Sequence, residues 1–330
     1  MEAWVWPSDW GIASIDPHCL QLMAYAKFSG APITFHESAN PFWTPKSNLP
    51  VFRHNEVQLP TFAGVVNHLK SLNYSADYNL SPKQQAEVTA ITQLMEEKLY
   101  PALLYVFWID ANNHSQLTCP WYAKHMTFPL GLYYPTKYYN HAVQVMESRF
   151  GIQFNDTPEV RSMIETAVHK NAEECLNMLS ERLGEENFFF GQAPSSADAL
   201  LYGYLAPLLK APLPNPTLQN HLKASNVLLK FVSRVNLTYF SKIAIEYEKK
   251  KVEENQDKSA NEDKEPEEPV NYTRVAVASS VAASAMTAYA IKSGWFDIAK
   301  NITIQIVGVD EEEENEENDE QYDAYNDRED

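Results

Sequence analysis

The chain has 330 residues, 45% of them hydrophobic and 12% aromatic, which is enough apolar content to bury one large core or two moderate ones and excludes wholesale disorder. Its formal net charge is -18, and the run 310–330 supplies about a dozen of those charges, so most of the imbalance sits in a tail. The body carries one tight basic cluster, Lys249, Lys250 and Lys251, read as a solvated helix end, so no nucleic acid is expected as a partner.

Cys19, Cys119 and Cys175 are odd in number and widely spaced with no CxxC pair, a pattern that suggests neither a disulfide framework nor a structural zinc site and fits a reducing compartment. His114, His125 and His141 form no i, i+4 pair, so no metal is expected, and no other cofactor is implied. The N-terminus, Met1-Glu2-Ala3-Trp4, lacks the basic region and apolar run of a secretory signal and is no Arg-rich amphipathic presequence.

In chain order, residues 3–6 read as a strand, 17–29 as a helix with Leu20, Met23, Ala24 and Phe28 on one face, and 33–36 as a second strand. Strands 50–54 and 56–59 follow, joined by a tight turn near His54-Asn55, and a helix starts at Pro60 or Thr61. Few compact units have the order β-α-β, β-β-α within about seventy residues, and the thioredoxin-like one is the commonest. From Pro82 the pattern is helical. Ser81-Pro82-Lys83-Gln84 is a capping box with a first-turn proline, and the apolar positions run on to Phe107 with a kink expected at Pro101. Further helices are predicted over 138–150, 158–183, 196–209 and 218–248. The aromatic stretch 121–134 has no clear period. Trp121, Tyr122, Tyr133 and Tyr134 are read mainly as core packing and, if they form an exposed patch, as the first candidates for a partner surface.

Residues 249–271 are rich in Glu, Lys, Asn and Asp and read as a charged flexible linker. Beyond it lies the run 275–291, whose larger apolar residues include Val275, Val281, Met286, Tyr289 and Ile291, flanked by Arg274 and Lys292. It is slightly short and rich in Ala and Ser for a spanning helix. A buried helix is disfavoured by the linker before it, and a surface amphipathic helix by apolar and small residues on all sides. A tail anchor over 272–294 is therefore expected, of a length suited to a thin bilayer, followed by 295–330 with its acidic end.

Several segments combine into a family resemblance. Asp16-Pro17-His18-Cys19 stands at the mouth of the first helix, Leu49-Pro50-Val51 precedes the third strand, and 188–198 reads FFFGQAPSSAD. These resemble glutathione transferases, in which the last block caps a buried helix; Pro50, Ser195, Ser196 and Asp198 are then the fold signature, Pro50 matching a cis-proline. The resemblance implies an α/β thioredoxin-like domain over 1–80 and an all-α domain over 81–248.

It also allows the enzyme reading to be tested. Catalytic members place Ser, Tyr or Cys where this chain has Asp16, and a carboxylate repels a thiolate. Cys19 falls at the resolving position of redox relatives, and Thr61 and Phe62 stand where an acidic ligand and Ser bind glutathione. A dismantled site is expected, with no catalytic residue and with Asp16 and Cys19 as vestigial candidates. The competing reading is a membrane-tethered glutathione-dependent enzyme using Cys19.

Blocks 25–32, 38–42, 74–81, 96–101 and 107–110 are similar to the metaxin family, which shares this fold. That resemblance implies a subunit of the sorting and assembly machinery of the mitochondrial outer membrane, its main domain facing the cytosol. It further implies a metaxin 2-like partner, help in inserting β-barrel precursors, and links to cristae-bridging and mitochondrial transport complexes.

Overall fold

The computed structural model describes residues 1–262 apart from 45–47, 152 and 154–156, and the side chains of 43 and 254–262 are left aside. The chain opens with β1 (Glu2–Val5), α1 (Pro17–Ser29), β2 (Thr34–Glu37), β3 (Val51–His54), β4 (Val57–Leu59) and α2 (Phe62–Ser71). The strands form one sheet in the order β2-β1-β3-β4, with β1 and β2 parallel and the other two pairs antiparallel. Ala3 faces Phe35 on one side and Phe52 on the other, so buried Ala3 and Phe52 share a face of the sheet. Asn55 takes a left-handed conformation at φ 54, which turns β3 tightly into β4 where the sequence predicted a hairpin.

Helix α1 is predicted to the residue. Asp16 caps it, Pro17 fills the first turn, and Gly30 ends it at φ 69. Every residue from Cys19 to Ala26 is buried, so the helix is enclosed all round instead of presenting the single face read from its periodicity. One wall is the sheet and another is α9. Gly203 of α9 lies so close that an added Cβ would stand 2.7 Å from the Pro17 carbonyl oxygen and 2.9 Å from the Gln21 nitrogen.

The helical half contains α3 (Pro82–Leu94), α4 (Tyr100–Leu104), the short α5 (Ala111–Asn113), α6 (Cys119–His125) and α7 (Leu130–Phe150). They are followed by α8 (Pro158–Leu183), α9 (Ser196–Lys210), α10 (Thr217–Ala224), α11 (Asn226–Tyr239) and α12 (Ser241–Glu262). The predicted capping box at Ser81 and Gln84 is formed. The kink expected at Pro101 takes the form of widened π turns. Met95–Leu99 is π-helical just before the proline, and two further π turns, Tyr105–Ile109 and His114–Thr118, follow. Widening accommodates a residue with no N–H to donate and a ring that crowds the preceding turn.

Two expectations are corrected. The helix predicted over 218–248 is three helices, interrupted at Ser225, whose hydroxyl caps α11, and at Phe240, which turns inward to stack on Tyr202 at a centroid distance of 5.5 Å. The stretch from 249, expected to begin a flexible linker, continues as α12 to Glu262. Lys and Glu, strong helix formers, make up half of it, and Glu246 just before it stands i, i+4 to Lys250 with opposite charge.

Residues Met1–Ser259 make one compact unit, so the thioredoxin-like and helical halves share a single core. No helix among the described residues is long and apolar enough to cross a membrane, and the predicted anchor, with Val275, Val281, Met286, Tyr289 and Ile291, lies outside them.

Candidate functional site

Two helix N-termini carry the residues the sequence singled out. At α9, Asp198 is fully buried and accepts three hydrogen bonds: from the Phe189 nitrogen at 3.0 Å, the Ser195 nitrogen at 2.8 Å and the Ser195 hydroxyl at 2.6 Å. Its neighbour Ser196 donates from nitrogen and from hydroxyl to the two oxygens of Asp77, both at 2.8 Å, and Lys70 of α2 pairs with Asp77 at 3.0 Å. The start of α9 is thus tied to its own loop and to the segment that joins the two halves. Burial pushes the Asp198 carboxyl up to about 6, opposed by the donors from Ser195 and Phe189 and reinforced by the charge of Asp77. Asp77 was not singled out as a site residue, although it stands inside one of the blocks that carry the metaxin resemblance.

At α1 the arrangement is different. One carboxylate oxygen of Asp16 accepts from the Cys19 nitrogen at 2.9 Å, a cap bond. Desolvation raises the Asp16 carboxyl above its usual range, an effect offset in part by the nearby His18. Cys19 has no exposed surface, and its sulfur accepts from the Trp6 nitrogen at 3.4 Å. Burial, then the charge of Asp16, pushes its thiol well above the ordinary value, the reverse of what thiolate chemistry needs. Pro50 follows a cis peptide bond and is buried, as the resemblance implied. Thr61 is occupied as the cap of α2, accepting from the Gly64 nitrogen, while Phe62 packs edge-on against Tyr25 at 5.8 Å.

The helical half closes over this place. Trp121 of α6 donates from its indole to Asp9 at 2.6 Å and is stacked on its other side by His125 at 3.9 Å. Tyr122 meets Trp6 edge-on at 4.8 Å and contacts Trp108 at 5.1 Å. Three of the four candidate partner-surface residues are therefore core: Trp121, Tyr122 and Tyr134 are buried, and Tyr133 alone is exposed, at 61%. Phe128 and Leu132, also exposed, lie beside Tyr133 in sequence and were missed, because the stretch gave no period from which to tell inward from outward positions.

What remains open between the halves is a cavity of about 100 Å³, bordered by the start of α1, α4, the π turns, α6 and α7. Asp16, His18 and His141 line it together with Thr118 and a set of aromatic rings. Burial lowers the His141 imidazole, helped by the charges of His18 and Lys137. Among the described residues no group of three or more His, Cys, Asp or Glu is arranged to hold a metal.

Residues 172–235 match the glutathione S-transferase C-terminal domain family. Among solved structures the chain is similar to a β-etherase from Sphingobium sp. strain SYK-6, with a TM-score of 0.51 at 12% identity, covering 73% of this chain and 97% of that one, a likeness of fold alone. Fold and site together define a protein of glutathione transferase architecture whose helix-one cysteine is sealed in the core. Residues 19–139 match a family described as outer mitochondrial membrane transport complex protein. The chain is 36% identical over 321 residues to Metaxin-1 of Bos taurus, covering 95% of this chain and 98% of that one. It is 39% identical over 243 residues to Metaxin-3 of Xenopus laevis, covering 73% and 77%. The chain belongs to the metaxin family.

Proposed function

We propose that this protein is a non-enzymatic subunit of the mitochondrial outer-membrane sorting and assembly machinery, assisting protein import and the insertion of β-barrel precursors. Metaxin membership and the match to an outer-membrane transport complex family support a role in mitochondrial protein transport. The non-enzymatic part rests on one observation: the thiol of Cys19 is wholly buried and pushed toward its neutral form, under a carboxylate that opposes an anionic sulfur. With the chemistry closed and the fold retained, the domain is left as a binding platform. Its partners in this reading are a metaxin 2-like protein and the β-barrel assembly complex, with the domain on the cytosolic side and 275–291 as its hold on the outer membrane. Exposed Phe128, on the turn between α6 and α7, and Leu132 and Tyr133, in the first turn of α7, replace the buried aromatics as candidate contacts.

The test is affinity isolation of the full-length chain from crosslinked mitochondria. Co-isolation of a second metaxin and of the β-barrel assembly complex is expected, with loss of membrane attachment when 275–330 is deleted. Isolation from mitochondria without either partner would refute the reading.

A further inference from the structure

Where β3 turns into β4, His54 faces α2 and meets His68 in the last turn of that helix. His54 Nδ1 and His68 Nε2 stand 3.0 Å apart, and the rings meet edge to face with centroids 5.3 Å apart. Phe52, two residues before His54 on the same side of β3, packs against His68 at 5.7 Å and supports its ring. Fourteen residues separate the two histidines, so no i, i+4 spacing marks them in the sequence.

A neutral imidazole has one N–H and one lone pair, so in the bare protein one of the facing nitrogens donates to the other. When each ring carries its proton on the outward nitrogen instead, His54 Nε2 and His68 Nδ1, two lone pairs face a single gap. Both rings are half-buried, and neither outward nitrogen is shut in the core without a partner, so both can hold a proton there. Facing lone pairs repel each other unless a cation lies between them. The spacing selects the cation: metal–nitrogen bonds of about 2.0–2.1 Å set at a right angle place their nitrogens about 2.9 Å apart, whereas a tetrahedral angle spreads them to about 3.3 Å. Right angles belong to tetragonal ions such as copper(II) and nickel(II), and a turn about χ2, the soft torsion of histidine, brings both lone pairs onto one point. We propose that His54 and His68 are a chelating pair for a divalent transition metal of that geometry, which ties β3 to α2. No third His, Cys, Asp or Glu joins them among the described residues, so water completes the coordination. The assignment does not depend on the transport role.

The experiment follows thermal unfolding of the untagged full-length chain at pH 8, above the usual imidazole range, with and without nickel chloride. Nickel is expected to raise the melting temperature of the wild type in a concentration-dependent way, because the chelate forms only when β3 and α2 are together. His54→Gln and His68→Gln, which keep a polar side chain at each place, are each expected to remove that rise and to weaken nickel at least tenfold in calorimetric titration. No rise in the wild type, or a rise that survives in either variant, would overturn the assignment. If one variant fails to fold the other decides, and if both fail the wild-type titration decides alone.

Discussion

The starts of α1 and α9 are built from similar parts and put to different uses. Each has a carboxylate that accepts backbone N–H groups at a helix start, but Asp198 lies wholly in the core with donors from its own loop, whereas Asp16, capped by the Cys19 nitrogen, lines a cavity. A buried polar group with its partners in place holds a fold together. In glutathione transferase architecture the α1 end is the reactive one. Here it has a cap and a buried sulfur, while the α9 end carries the hydrogen bonds of Asp198 and Ser196.

The largest expected effect tests the α9 side of that comparison. Asp198→Ala leaves the Phe189 and Ser195 nitrogens unpaired in the core and is expected to destabilise the domain by about 3–5 kcal/mol, measured by chemical denaturation. A loss below about 1 kcal/mol would mean that the cap is dispensable. The same residue sets a pH dependence. Its folded value, about 6, lies above its ordinary 3.8, so the folded state holds this proton more tightly than the unfolded chain does. Its contribution is therefore fully present below about pH 4 and lost as the pH rises through 6. The stability of the wild type relative to Asp198→Asn should fall across that window by up to about 3 kcal/mol.

Next in size is Gly203→Ala, which drives a methyl group into the backbone of α1. The expected cost is about 1–3 kcal/mol, read as a lowered melting temperature. An unchanged melting temperature would show that α1 and α9 have room to part. The smallest effect concerns α1 and is a matter of rates. Of three free cysteines, half-buried Cys119 should react readily with an aromatic disulfide reagent in the native chain, whereas Cys19 and Cys175 should react only on unfolding. Fast native labelling of Cys19 would break the comparison at its α1 end.

Much of this was legible in the sequence because it rests on local rules. Ser81-Pro82 with Gln84, Asp16-Pro17 and Ser195 with Asp198 announce helix starts through short-range hydrogen bonding, and α1 and α8 were bounded correctly by such signals. What failed needed long-range information. Core packing is the favoured reading of Trp121, and it is buried, but nothing near it says that its indole will find Asp9, which lies 112 residues away. The bond from Asp77 to Ser196 spans 119 residues and is invisible to local pattern for the same reason. Phe240 looked like part of a continuing helix, and only the place waiting beside Tyr202 explains why the chain turns there. The orphaned Thr118 hydroxyl leaves no trace in sequence either, since an ordinary Thr in a helical run gives no hint of a missing partner.

Glutathione binding tests the closed α1 end most directly, by calorimetric titration of the full-length chain. The burial of Cys19, the carboxylate of Asp16 and the capping role of Thr61 predict no saturable heat at millimolar glutathione. Sub-millimolar binding that is lost in Cys19→Ser would contradict the account and restore the enzyme reading.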